Sequence, residues 1–134
     1  MTNRSIVLDS YALLAFFQAE PGGEKVRDIL KMAQSGEAQV LLSVINLGEI
    51  YYILARKIGK EAARAFAEDI SALPVQHVQA HRARVLEAAE VKADHALSYA
   101  DAFAVACALE FSAELVTGDP EFKAVESLVS ILWI

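Results

Sequence analysis

The sequence contains one cysteine, three prolines and no apolar run long enough to span a bilayer. The single thiol, Cys107, excludes an internal disulfide and is typical of a reducing compartment, so we expect a cytoplasmic protein. A membrane helix would need about 18 or more apolar residues in succession, and none is expected here. The apolar segment 8–19 is interrupted by Asp9 and lacks a small-residue cleavage site, so we interpret it as a buried strand and helix rather than a signal peptide.

Basic side chains are also few. Twelve Lys and Arg stand against eighteen Asp and Glu, which gives a formal net charge of −6. This balance argues against passive binding of nucleic acid through a basic surface. It still allows an enzyme that acts on a phosphodiester through a metal, because the metal would neutralise the acids of its own site.

The chain has 134 residues, of which 55% are hydrophobic, and we expect one folded domain over residues 1–134. Short β-branched runs alternate with longer helical stretches, a pattern that predicts an α/β fold with a central parallel sheet of about five strands. The predicted strands are residues 5–8, 39–42, 75–78, 115–117 and 129–133. The predicted helices are residues 10–19, 24–35, 43–58, 61–73, 79–92 and 98–111.

Four carboxylates stand alone in apolar surroundings, each near the end or beginning of a predicted element: Asp9, Glu49, Asp101 and Asp119. Burying an isolated carboxylate costs free energy unless the group is paired, hydrogen-bonded or bound to a cation, and no basic residue lies in any of these segments. Because the carboxyl ends of parallel strands share one edge of the sheet, we expect the four acids to converge there. The pattern therefore predicts a divalent metal site.

Three of the four acids also have a structural interpretation. Asp9 could cap the helix that follows it, and Ser98 with Asp101 has the form of a capping box. Asp119 before Pro120 is a common helix start. Glu49 lies mid-helix among Leu and Ile and has no such alternative role, so the set of four favours a site.

Other candidate sites are weaker. His77, His81 and His95 could suggest zinc, but neither the single cysteine nor a second histidine pair completes a ligand set, and we expect Cys107 to pack in the core. A receiver domain would need an Asp after the third strand and a Lys after the last, and neither is present. A haloacid-dehalogenase-type phosphatase would need a second Asp where Tyr11 stands.

A basic cluster lies at the end of the third predicted helix and the start of the next, and consists of Arg56, Lys57, Lys60 and Arg64. We interpret it as favourable charge at a helix C-terminus together with solvated surface, in preference to an RNA contact.

The ordered set of motifs resembles the PIN-domain ribonucleases, and most of all the VapC toxins of toxin–antitoxin modules. The matching pieces are Ile6-Val7-Leu8-Asp9-Ser10, Ser43-x5-Glu49, Ser98-Tyr99-Ala100-Asp101-Ala102 and Leu115-Val116-Thr117-Gly118-Asp119. The resemblance implies a three-layer α/β/α domain and a Mg²⁺- or Mn²⁺-dependent endoribonuclease that leaves a 5′-phosphate and a 3′-hydroxyl.

The same resemblance assigns roles to particular positions and partners. The catalytic, metal-binding acids would be Asp9, Glu49, Asp101 and Asp119, with Ser10 and Thr117 as supporting hydroxyl residues. It also implies an RNA substrate, an antitoxin partner and a homodimer. The alternative is a catalytically silent PIN-like module that only binds another protein.

Overall fold

The computed structural model describes residues 4–134, so the first three residues of the predicted domain lie outside the described part. The strands are β1 (Arg4–Leu8), β2 (Ala38–Ser43), β3 (Gln76–Val78), β4 (Glu114–Thr117) and β5 (Ile131–Trp133). The α-helices are α1 (Ser10–Phe17), α2 (Gly23–Gln34), α3 (Val44–Ile58), α4 (Lys60–Ser71), α5 (Arg82–Asp94) and α6 (Tyr99–Glu110). A short 3₁₀ helix, Pro120–Val125, follows β4.

All strand pairs are parallel, and the strand order is β3-β2-β1-β4-β5. The central strand, β1, pairs with β2 from Arg4 to Val7 and with β4 from Ile6 to Leu8. The prediction of an α/β fold with five parallel strands is confirmed. Strands so arranged present their carboxyl ends at one edge, where the chain enters α1, α3 and the 3₁₀ helix.

Helices cover both faces of the sheet, because successive strand residues point to opposite sides. In β1, Ile6 and Leu8 pack with α1 to α4, whereas Val7 packs with α5, α6 and the 3₁₀ helix. Residues 40–42 of β2 alternate in the same way. This alternation of fully buried residues produces the three layers.

Polar caps begin the helices at the carboxyl edge. Asp9 accepts a hydrogen bond from Ala12 N, and Ser43 and Ser98 cap α3 and α6 in the same manner. Gly59 ends α3 at φ 95°, a conformation that a residue with a side chain rarely adopts.

The predicted helix 79–92 begins later than expected. The His81 ring accepts a hydrogen bond from Arg84 N and so caps α5, which leaves residues 79–81 outside the helix. Among residues 4–134, no helix has both the length and the apolar character required to cross a membrane.

Candidate metal centre

An acidic cleft of about 240 Å³ lies at the carboxyl edge of the sheet. All four acids singled out in the sequence line it, and a fifth, Glu121, joins them. The lining residues are Asp9, Ser10, Tyr11, Leu14, Glu49, Ile53, Ser98, Asp101, Asp119 and Glu121. Within the described chain, this lining includes no Lys, Arg or His, so no protein cation offsets the charge of the carboxylates.

Asp9 is the most deeply buried of these acids, with 1% of its surface exposed. Its carboxylate accepts hydrogen bonds from Ala12 N, at 2.8 Å, and from the Thr117 side chain. Burial raises the pKa of Asp9 to about 7; the two hydrogen bonds oppose this shift, and the charges of Asp101 and Asp119 add to it. Asp9 is therefore both a helix cap and a carboxyl that holds its proton more tightly than usual.

Glu49 lies in the second turn of α3 and faces the same cleft. The Ser10 hydroxyl donates a short hydrogen bond to Glu49 Oε1. This contact links the first turn of α1 to α3 and fixes one oxygen of the carboxylate. Ser10, which the resemblance assigned a supporting role, thus contacts a predicted site residue.

Asp101 occupies the first turn of α6, where its N–H donates to Ser98 Oγ at 3.1 Å. Burial raises the pKa of Asp101 to about 7; the Ser98 hydroxyl beside the carboxylate lowers it, while repulsion from Asp119, Glu49 and Glu121 raises it further. Ser98 therefore caps α6, which is one half of the predicted capping box, and the Asp101 carboxylate lines the cleft.

Asp119 lies two residues beyond β4 and begins the 3₁₀ helix. Its N–H donates to Thr117 Oγ1 at 3.0 Å, and its carboxylate accepts from Glu121 N at 2.9 Å. Thr117 is fully buried and contacts both Asp9 and Asp119. It therefore couples the two acids at neighbouring strand ends.

Glu121 was not predicted from the sequence. One carboxylate oxygen from each of Asp101, Asp119 and Glu121 can be chosen so that all three lie within 4.8 Å of one another. The available signal was the run Asp119-Pro120-Glu121: Pro120 at the first helical position marks Asp119 as the cap, and the capping carboxylate accepts from Glu121 N. Isolated acids in apolar segments carry the sequence signal, and Glu121 lies only two residues from Asp119.

The donor set fits a hard divalent cation. Every ionisable group in the cleft lining is an acid apart from the Tyr11 phenol, and carboxylate oxygens are the protein ligands that Mg²⁺ and Mn²⁺ prefer. Over residues 4–134, the only group of three or more His, Cys, Asp or Glu side chains with ligand atoms this close is Asp101, Asp119 and Glu121.

The histidines and the cysteine lie elsewhere. His77 is in β3, His81 caps α5, and the His95 ring contacts the Val91 carbonyl. Cys107 is buried in the core against α5, and burial raises the pKa of its thiol to about 12. These positions give no support to a zinc site or a catalytic thiol.

The fold and the cleft define a class of α/β proteins with an acidic centre at the carboxyl ends of a parallel sheet. The PIN-domain family profile matches residues 6–128. The chain belongs to the PIN-domain family, as predicted. Comparison with curated protein sequences gives no significant match.

Several solved structures share the fold. VapBC of Salmonella typhimurium, bound to DNA, has a TM-score of 0.74 and 16% identity, over 96% of this chain and 97% of that chain. VapC20 of Mycobacterium tuberculosis, described as a sarcin–ricin loop cleaving toxin, has a TM-score of 0.70 and 21% identity, over 90% and 94%. A toxin–antitoxin complex from Klebsiella pneumoniae has a TM-score of 0.65 and 15% identity, over 95% of each chain. The predicted likeness to VapC proteins is confirmed for the fold.

Proposed function

We propose that this chain is a Mg²⁺- or Mn²⁺-dependent endoribonuclease and the toxin of a toxin–antitoxin pair. One observation carries the proposal: five carboxylates from four separate segments of a PIN domain meet in one cleft without a basic partner among its lining residues. Buried like charges without compensation cost stability, and binding of a divalent cation would offset that cost.

In this proposal, the carboxylates of Asp101, Asp119 and Glu121 hold the cation, with Asp9 and Glu49 as further oxygen donors. Once bound, the cation would lower the pKa of water and neutralise charge on the scissile phosphate. Ser10 orients Glu49 through its hydroxyl, and Thr117 orients Asp9. These hydroxyls keep the carboxylates in place before substrate arrives, which reduces reorganisation during the reaction.

The toxin assignment has separate support. VapBC proteins and a toxin–antitoxin complex are among the proteins that share the fold over nearly the whole chain. A nuclease of this kind must be inhibited in its own cell, and an acidic cleft would suit an inhibitor that inserts Arg or Lys among the acids. We accordingly propose a small antitoxin partner, a homodimer and a cytoplasmic location.

The deciding experiment is incubation of the purified protein with mixed cellular RNA in Mg²⁺ or Mn²⁺ and then in EDTA, with mapping of new 5′ ends. We expect cleavage only with the divalent ion, and 5′-phosphate products. Asp9→Asn and Asp101→Asn should abolish cleavage while retaining the fold, since Asn keeps the size of Asp and, at position 9, remains a good helix cap. Asp94→Asn, at an exposed position of α5, is the matched control.

Cleavage at the wild-type rate in both site variants would rule out the assigned acids. Absence of cleavage with every divalent ion, combined with tight binding of a partner protein, would favour the silent-module alternative.

A further inference from the structure

Four basic residues form a stripe across the turn between α3 and α4. This basic stripe consists of Arg56, Lys57, Lys60 and Arg64, all of them exposed. The two salt bridges found over residues 4–134 are Arg4–Glu114 and Arg84–Glu110, so none of the four stripe residues is in a direct ion pair with a described carboxylate. With the Gln18 amide oriented so that its nitrogen donates to Glu20, its oxygen lies 2.9 Å from the Lys57 ammonium and gives Lys57 a neutral partner. The stripe is thus a positively charged surface on a protein whose net charge is −6.

Favourable interaction with helix ends explains only half of the stripe. Arg56 and Lys57 lie in the last turn of α3, where cations are stabilised by the helix dipole. Lys60, in contrast, is the first residue of α4, and Arg64 lies one turn later. Cations near a helix N-terminus are disfavoured by the same dipole. The helix dipole therefore accounts only for Arg56 and Lys57, and Lys60 and Arg64 require either simple solvation or a bound anion as their explanation.

The basic stripe begins about one helical turn beyond the acidic cleft on α3. Glu49 and Ile53 both line the cleft and are four residues apart on α3. Arg56 and Lys57 follow Ile53 by three and four residues, which places them on the same helix face. At ~1.5 Å of rise per residue, Arg56 lies roughly 10 Å along the helix axis from Glu49. A polymer held in the cleft would meet the stripe within a few monomer units.

An exposed aromatic side chain lies on the same helix between the cleft and the basic stripe. Tyr52, 46% exposed, stands on α3 between Glu49 and Arg56. The Arg56 guanidinium carbon is 5.1 Å from the centroid of the Tyr52 ring. An exposed aromatic ring with a stacked guanidinium offers a flat surface for a nucleobase and a charge for the adjoining phosphate.

We propose that the basic stripe, with Tyr52, binds the phosphates and one base of the single-stranded RNA as it leaves the acidic cleft along α3. The inference rests on the proposed nuclease function and deepens it by assigning the path of the substrate. The acidic cleft repels a polyanion until a cation is bound, so the RNA needs positive charge close by. The basic stripe begins close to the cleft, so it supplies that positive charge along the path of the RNA strand.

RNA explains these features better than an acidic protein surface. An acidic partner would be attracted by the four cations but would have no use for a stacked aromatic ring or for proximity to a metal-binding cleft. Cations beside an exposed aromatic ring are the combination by which proteins bind single-stranded nucleic acid without sequence preference.

The test compares two doubly neutralised proteins with the same change in net charge. Arg56→Gln with Lys57→Gln alters the stripe. Arg82→Gln with Lys92→Gln alters exposed positions of α5, on the opposite face of the sheet. Each pair is placed in an Asp101→Asn background, and binding of a fluorescein-labelled uridine oligonucleotide of about 12 nucleotides is measured by anisotropy over a range of salt concentrations.

We expect the stripe variant to lose affinity by about fivefold per phosphate contact at 0.1 M salt, and its salt slope to fall by ~0.7 per contact. The α5 control should keep nearly all of the affinity and slope. Tyr52→Ala should weaken binding without changing the salt slope, since stacking releases no counterions. With Asp101 restored, the stripe variant should slow cleavage of the long oligonucleotide but leave cleavage of a trinucleotide unchanged.

Equal RNA affinity in the stripe variant and the α5 control would overturn the proposal. If that result came with a change in oligomeric state on size-exclusion chromatography, the stripe would belong to a contact between copies of the chain. The binding measurement does not depend on cleavage, so it decides the role of the stripe even if the wild-type protein cuts no RNA. Cleavage by the wild-type protein with equal affinities would remove this inference and leave the nuclease function standing.

Discussion

Ser10 donates a hydrogen bond from its hydroxyl to Oε1 of Glu49, thirty-nine positions away in the chain. Ser10 opens α1 directly after Asp9, and Glu49 lies in the second turn of α3. Because Ser10 is next to Asp9 in sequence, this contact connects Asp9 and Glu49, two of the acids that line the cleft. It makes the orientation of Glu49 dependent on a side chain that need not contact the cation.

Ser10→Ala should weaken metal binding without unfolding the protein. Loss of a residue that orients a metal ligand typically costs 10- to 100-fold in affinity, and we expect a Kd for Mn²⁺ higher by about that factor in calorimetric titration. Ser5→Ala is the matched control, because the Ser5 hydroxyl on β1 donates a hydrogen bond to Gln39 Oε1 on β2 at 3.3 Å, away from the cleft. Equal Mn²⁺ affinity in the two variants would show that the hydroxyl has no part in ordering Glu49 for the metal.

Glu121→Gln should reduce Mn²⁺ affinity about as much as Asp119→Asn does. Both carboxylates belong to the group of oxygens within 4.8 Å of one another, and an amide is a poorer ligand for a hard cation than a carboxylate. Glu90→Gln, at an exposed position of α5, provides the same change away from the cleft and should bind as wild type. Wild-type affinity in Glu121→Gln would restrict the centre to the four acids expected from the sequence.

Most of the fold could be predicted because the hydrophobic periodicity is strong. The strands and helices lie near their expected positions, since β-branched runs and apolar helical stripes alternate along the chain. The late start of α5 could not be predicted, because it depends on a hydrogen bond from Arg84 N to the His81 ring. Histidine is not among the usual capping residues.

The sequence could predict only those site residues that are recognisable from their own neighbours in the sequence. Asp9, Glu49, Asp101 and Asp119 are isolated acids among apolar neighbours, and the structure places all four in the cleft. Glu121 carries no such signal because it is exposed and follows another acid by two positions. The pairing of Ser10 with Glu49 depends on how α1 packs against α3, which no local pattern encodes.

Gly118→Ala should disturb the rim of the cleft through Tyr11. A Cβ at position 118 would lie 2.3 Å from Tyr11 Cε1 and 2.7 Å from Cζ, so the ring rests directly on the glycine backbone. We expect the free energy of unfolding to fall by about 1–3 kcal/mol, the usual cost of overpacking. Combining the change with Tyr11→Ala should recover much of that loss, as measured by urea denaturation in a double-mutant cycle.

Gly48→Ala is the matched glycine control. A Cβ at position 48, in the exposed face of α3, would meet nothing within 4 Å. Alanine is the better helix former, so this variant should gain roughly 0.5–1 kcal/mol. A Gly118→Ala protein as stable as wild type, with Tyr11 unmoved, would contradict the steric account.

The stability of the metal-free protein should rise as the pH falls from about 8 to 5. The pKa values of Asp9 and Asp101 are both raised to about 7, whereas an unfolded Asp titrates near 3.9. Above pH ~7 the folded state bears the full cost of two buried charges. Between about 7 and 4 it takes up protons that the unfolded chain does not, so the cost shrinks with falling pH.

Melting temperatures measured in EDTA and in Mn²⁺ between about pH 8 and 5 test the predicted direction of this pH dependence. At about pH 8, Mn²⁺ at roughly a hundredfold over its Kd should stabilise the protein by ~2.7 kcal/mol, and near pH 5 by much less, because protons compete for the same oxygens. Asp101→Asn should melt above wild type in EDTA at pH ~8 and vary less with pH, whereas Asp94→Asn should follow wild type. If Asp101→Asn instead melts at or below wild type and Mn²⁺ shifts neither protein, the carboxylate serves mainly the start of α6. The metal centre would then lack a ligand that its arrangement requires.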